Sequence, residues 1–176
     1  DWPIPLDVAP HAQRALERTL ARCREDEACR AAFPAITDDL RELLARCDAH
    51  PEVVRVAHPV TGVLTEVKVD HASLGMMLRV LSYASEGAAI VPLLVHEAQR
   101  TGDLRLIAAH ALMTREMVDV ADGMYLSVVC AEDDPFVSAD EAKARAAGTY
   151  TGDEAFASIR AARGGGVEEM RAAGHQ

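Results

Sequence analysis

Val53-Val54-Arg55-Val56-Ala57-His58, Pro59-Val60-Thr61-Gly62, Val63-Leu64-Thr65-Glu66-Val67-Lys68-Val69: this stretch departs from the helical pattern of the residues around it. Its first arm is short and β-branched. In its last arm Val63, Thr65, Val67 and Val69 alternate with Leu64, Glu66 and Lys68, the two-residue period of a strand with one covered face. Between the arms, proline, threonine and glycine supply turn chemistry. The stretch predicts a β-hairpin over about 53–69. A lone two-stranded hairpin is marginal in water, so it must lie against helices or another part of the protein.

Upstream, Pro3, Pro5 and Pro10 predict an extended lead-in. Pro10 then fits the first turn of a helix running to about Arg24, where its missing donor is not needed. Leu16, Leu20 and Cys23 form one apolar face of that helix. A short helix over Asp26 to Phe33 stops at Pro34. Thr37 is the expected N-cap of the next, with Asp38 and Asp39 where the helix dipole favours carboxylates. Its buried stripe is Leu40, Leu43, Leu44 and Cys47.

Downstream of the hairpin, Asp70 is the expected N-cap of a helix burying Leu74, Met77, Leu78 and Leu81. Ser85-Glu86-Gly87 breaks it, and Pro92 is placed near the start of a helix ending at Gly102. Asp103 caps a further helix of about 17 residues. Met124 to Cys130 is a continuous apolar run and predicts a buried strand. Alanine-rich helices follow over 138–147 and 153–162, then the Gly164-Gly165-Gly166 interruption and a weak tail. The expected fold is mainly α: a helical bundle with one β-hairpin (about 53–69) and one isolated further strand (about 124–130), divided into 1–122 and 123–176.

Charge narrows the function classes. The 176 residues hold 18 Lys and Arg against 28 Asp and Glu, a formal charge of −10. Phosphate neutralisation needs clustered cations, so a nucleic-acid partner is not expected, nor is adhesion to an anionic membrane. No apolar run reaches the ~20 residues of a membrane span. At 49% hydrophobic and 26% charged residues, the composition is that of a folded domain. The start at Asp1, with no methionine and no leader, suggests a piece of something longer.

Catalytic motifs are sparse. None of Ser73, Ser82, Ser85, Ser127, Ser138 or Ser158 sits in a Gly-x-Ser-x-Gly elbow, the strained turn that exposes a nucleophile. His96-Glu97 begins a zinc-protease pattern, but Arg100 stands where the second histidine belongs. The triple glycine lacks the Lys-Ser/Thr ending of a phosphate loop. No catalytic residue, metal ligand or cofactor is therefore expected in this chain. Glu132-Asp133-Asp134 can hold a cation or a substrate amine, or can simply solvate a loop. Cys23 and Cys29 flank a turn and read either as a staple or as two small buried thiols. Cys47 reads as core.

Several of these pieces, in this order, resemble one family. The run from Cys23 through Cys29-Arg30-Ala31-Ala32-Phe33-Pro34 resembles the start of the helical cap in bacterial α/β-hydrolases of the proline iminopeptidase and tripeptidyl aminopeptidase type. The hairpin ending near Pro59-Val60-Thr61-Gly62, then Leu81-Ser82-Tyr83 and a helix beginning around Pro92, is similar too. Ser127-Val128-Val129-Cys130-Ala131-Glu132-Asp133 resembles the strand by which those chains re-enter the hydrolase sheet.

The resemblance covers roughly residues 1–160. It implies that 1–122 is a lid with a hairpin, and that 123–176 is a returning strand with C-terminal helices of the hydrolase core. It implies a Cys23–Cys29 disulfide and a secreted or cell-envelope location. In that family the nucleophile elbow precedes the segment matching residue 1, and the catalytic Asp and His follow the segment ending near residue 163. The chain alone is then inactive, and its partners are the missing hydrolase core and a small peptide or ester substrate. Glu132 is the expected anchor for a protonated amine, with Asp133 a substitute and Tyr83 and His96 on the lid side of the pocket. A strand removed from its sheet exposes adhesive edges, so a homodimer is expected. The different-class alternative is a free-standing helical binding module without enzymatic activity, and a weaker one is an enzyme with a site around Glu132.

Overall fold

The computed structural model describes residues 4–117, 122–153, 156–157 and 160–161, and these are mainly helical with a single two-stranded hairpin among them. The chain divides into two compact units, one of residues 12–119 and one of residues 1–11 with 120–176. The sequence division at 122/123 assigns residues 1–11 to the helical part, whereas by packing they belong with the C-terminal part.

The larger unit contains most of α1 (Ile4–Glu25), then α2 (Glu27–Ala32) and α3 (Ile36–Ala49). The hairpin follows as β1 (Glu52–Ala57) and β2 (Leu64–Val69), then α4 (His71–Leu81), α5 (Ser85–Thr101) and α6 (Arg105–Met117). The hairpin is antiparallel, in register from Glu52 opposite Val69 to Ala57 opposite Leu64. Val69 and Val54 are buried while Leu64, Glu66 and Lys68 are exposed, as the alternation requires. Gly62 takes a φ of 71° at the turn, where its N–H donates to the His58 carbonyl at 2.8 Å. The marginal ribbon is covered by α4 and α6.

Around it, α3 packs on α4 and α5, and α4 on α5 and α6. Leu43, Leu74, Met77, Leu78 and Val95 are wholly buried there. Local chemistry fixes several helix ends. Asp70 caps α4 through a reciprocal box with Ser73, both contacts 2.9 Å. Gly102, at φ 75°, closes α5 in the left-handed conformation.

The smaller unit holds the first residues of α1, then α7 (Asp122–Glu132), a 3₁₀ turn over Asp134–Phe136, and α8 (Ala139–Ala146) capped by Ser138 and Glu141. Leu6 is buried with Val137, Ala142 and Phe156.

Four expectations are corrected. Met124 to Cys130 is helix, not strand, and the Asp133 N–H continues the pattern by donating to the Val129 carbonyl at 3.0 Å. An apolar run without a period fits either state, and among the described residues the only two strands pair with each other. Residues 4–10 are helix, not extended. Burial of Leu6 and Ala9 offsets the hydrogen bond that Pro10 cannot make. Pro92 lies inside α5, which already begins at Ser85, and its ring is buried among core side chains. Thr37 is not the cap of α3, which begins one residue earlier after Ala35; its hydroxyl accepts from Arg24 instead. Of the helix expected over 153–162, residues 156, 157, 160 and 161 are helical and residues 154, 155, 158, 159 and 162 lie outside the described residues, as do the triple glycine and the tail.

Candidate functional site

Within the larger unit, α1 and the corner joining α4 to α5 border a groove of about 500 Å³. Arg18, Arg22 and Glu25 line it from α1, over small residues such as Ala15 and Ala21. Ser82, Tyr83, Ala84, Ser85 and Ala88 form the other wall. Tyr83 is 66% exposed. It is steadied by Arg79, whose Nε donates to its hydroxyl at 2.8 Å and whose guanidinium lies 5.8 Å from the ring centre. The corner is tight because Gly87 approaches the last turn of α4. A Cβ there would stand 2.5 Å from the Leu81 carbonyl oxygen. Tyr83, expected on the lid side of a pocket, thus lies on a groove wall. The arginines opposite it are a site feature that the motifs do not mark, although their four-residue spacing is a readable signal.

His96 is placed differently. Its Nδ1 lies 3.0 Å from Asp39 Oδ2, joining α5 to α3, and Phe33 meets its ring edge-on at a centroid distance of 5.4 Å. One turn on, Gln99 donates to Glu42 at 2.7 Å, a second bridge on the same seam. A carboxylate on Nδ1 orients an imidazole as it does in acid–base pairs. Among the described residues no serine, threonine or cysteine hydrogen-bonds to His96.

Glu132 ends α7 and is exposed, Asp133 is half-buried, and Asp134 is fully buried. Asp134 accepts from Arg160 Nε at 2.9 Å, and the same guanidinium donates to the Val137 carbonyl at 2.9 Å. Arg160 also lies over Phe156, 4.7 Å from its ring centre. The three acids therefore do different things: the last clasps a turn, while the first is free to meet solvent. Glu132 does not follow a strand, as the sequence reading required, but closes a helix. There the partial negative charge of the C-terminus adds to its own.

Tyr83 and His96 belong to the larger unit, and Glu132 and Asp133 to the smaller. Cys23 and Cys29 form a disulfide, with Cα atoms 5.0 Å apart. Cys47 is buried, and that burial pushes its thiol pKa up; Cys130 is half-buried. Among the described residues no three His, Cys, Asp or Glu converge as metal ligands, and no helix is long and apolar enough to cross a membrane. No family model, curated protein or solved structure matches the chain.

Proposed function

We propose that the unit of residues 12–119 is the lid of an exported serine α/β-hydrolase of the aminopeptidase or esterase type. It would close over a small peptide or ester and exclude water, while the nucleophile and oxyanion hole come from a hydrolase core outside this chain. The observation that carries the reading is the disulfide-stapled corner of α1 and α2, followed in order by the hairpin, α4 and α5. That order is the one on which the family resemblance rests. The disulfide also supports an oxidising compartment outside the cytosol. Glu132 is the candidate anchor for a protonated amine, since its exposed carboxylate adds to a helix C-terminus. Met124, Tyr125, Val128 and Phe136 are exposed apolar side chains that the hydrolase core, or a second copy of the chain, would cover.

The test is a fluorophosphonate probe applied to the 176-residue chain and to the product of the whole reading frame that encodes it. The reading expects one labelled serine in the longer product, and no labelling or ester hydrolysis by the shorter one. A labelled serine in the short chain, or none in either, sinks it. The helical state of residues 124–130 favours a second reading, a free-standing helical binding module. Absence of labelling in both proteins is the result it expects.

A further inference from the structure

The chain carries ten net negative charges, yet Arg14, Arg18 and Arg22 follow one another at four-residue steps along α1. Most other cations of the described residues are spoken for. Arg41, Arg55, Lys68, Arg100, Arg105, Arg145 and Arg160 each pair with a carboxylate. Among the described residues, Arg14, Arg18 and Arg22 have no ion-pair partner within 4.0 Å, and all three are exposed. Like charges one helical turn apart repel, so Arg14, Arg18 and Arg22 each stand beside a like-charged neighbour in the row. Arg18 and Arg22 also line the groove bounded by Tyr83, over a floor of small side chains that leaves room for a backbone to approach.

From these observations we infer that the groove binds an extended peptide segment bearing carboxylates at alternate positions. Four residues of helix rise about 6 Å, which sets the spacing at which successive arginines leave the row, within reach of one another's carboxylate partners. Alternate side chains of an extended chain recur at about 6.7 Å on one face, so consecutive acidic residues of a Glu-x-Glu pattern meet consecutive arginines. Arginine is suited to this because its planar fork takes a carboxylate through two hydrogen bonds. The exposed ring of Tyr83 offers an apolar surface to the intervening residue, and Glu25 ends the cationic run. A nucleic acid could also supply evenly spaced anions. Its many phosphates, however, would face the field of a strongly acidic protein, which a peptide with two or three carboxylates feels far less. The inference goes beyond the lid reading and does not depend on it.

The experiment is fluorescence anisotropy of the purified 176-residue chain with labelled peptides and a single-stranded oligothymidine. The peptides are Glu-Ala-Glu-Ala-Glu-Ala, its Gln-for-Glu counterpart, and Glu-Glu-Glu-Ala-Ala-Ala. The alternating acidic peptide should bind most tightly, and R18Q/R22Q should weaken it roughly tenfold or more. Far-UV circular dichroism should show that variant to be as helical as the parent, because both side chains are exposed. Y83A should weaken the same peptide with both arginines in place. Equal binding of the Gln peptide or the contiguous peptide, no loss in the well-folded double variant, or tighter binding of the oligonucleotide would each overturn the inference.

Discussion

Asp134 is closed off from solvent, whereas Arg160, whose Nε lies 2.9 Å from its carboxylate, is 46% exposed at its side chain. The pair is unequal, and its two halves are not equally dispensable. Arg160→Gln takes the guanidinium away from a buried carboxylate, which should cost about 2–3 kcal/mol, less than for a fully buried pair because Arg160 is half in water. Asp134→Asn leaves a guanidinium that water can solvate, and should cost about 1 kcal/mol. Urea unfolding of both variants and of the double variant checks this. A smaller loss for Arg160→Gln than for Asp134→Asn would refute the inequality.

Acid should weaken the start of α6 within a definable window. Side-chain hydrogen bonds from Arg105, reinforced by its backbone N–H, hold the carboxyl of Asp103 down to about 2. A depressed carboxyl stabilises the fold above its unfolded value of about 3.9, and that contribution fades as pH falls toward 2. Asp103→Asn should therefore be less stable than the parent at pH 6, by less than about 1 kcal/mol given the exposure of both side chains. The difference should shrink between pH 4 and pH 2. Parallel stability profiles over that interval would exclude the linkage.

Gly87 should resist replacement although it lies in a helix, where Ala normally gains about 1 kcal/mol over Gly. Its added Cβ would press on the backbone of Leu81, which has no flexible side chain to yield. Gly87→Ala should lose about 1–3 kcal/mol by thermal or urea unfolding. A more stable variant would contradict the close approach of α4 and α5.

Thiol labelling should divide the four cysteines into three classes. Under native, non-reducing conditions a maleimide should modify Cys130 first. Cys47 should react only on unfolding, since it is buried and its thiol is held protonated. Cys23 and Cys29 should react only after reduction. Rapid native modification of Cys47 would argue against its place in the core.

The proposed lid role gives Glu132 its own test. If the full reading frame encodes a hydrolase as proposed, Glu132→Gln in that product should reduce turnover of a free-amine substrate about tenfold or more and leave its N-blocked counterpart unchanged. Equal activity of variant and parent on both would remove Glu132 from the site.

What could be read from sequence was set by nearest neighbours in the chain. Asp70, Ser138 and Gly102 act on residues within one turn, and the alternation from Val63 to Val69 carries its own face assignment. For residues 4–10 the proline rules describe only a local cost, while packing of Leu6 with Val137 and Phe156 decides the outcome. Met124 to Cys130 has no period at all, so its pattern does not separate helix from strand. The partners of His96 and Asp134 lie 57 and 26 residues away, and a single sequence gives no means of joining such distances. Tyr83 lines a groove opposite Arg18 and Arg22, and the fold, not the chain order, brings these three together.

The cystine at the α1–α2 corner spans six positions, while the next cysteine, Cys47, lies 18 beyond Cys29. Closing the shorter loop is favoured by about 1 kcal/mol in chain entropy, roughly fivefold in encounter frequency. Both partners of the short loop also leave a ribosome or translocation channel before Cys47 does. Of the other three cysteines in these 176 residues, Cys29 is therefore both the nearest partner of Cys23 and the first to follow it out. The same order leaves Cys47 to be covered as α3 packs on α4 and α5.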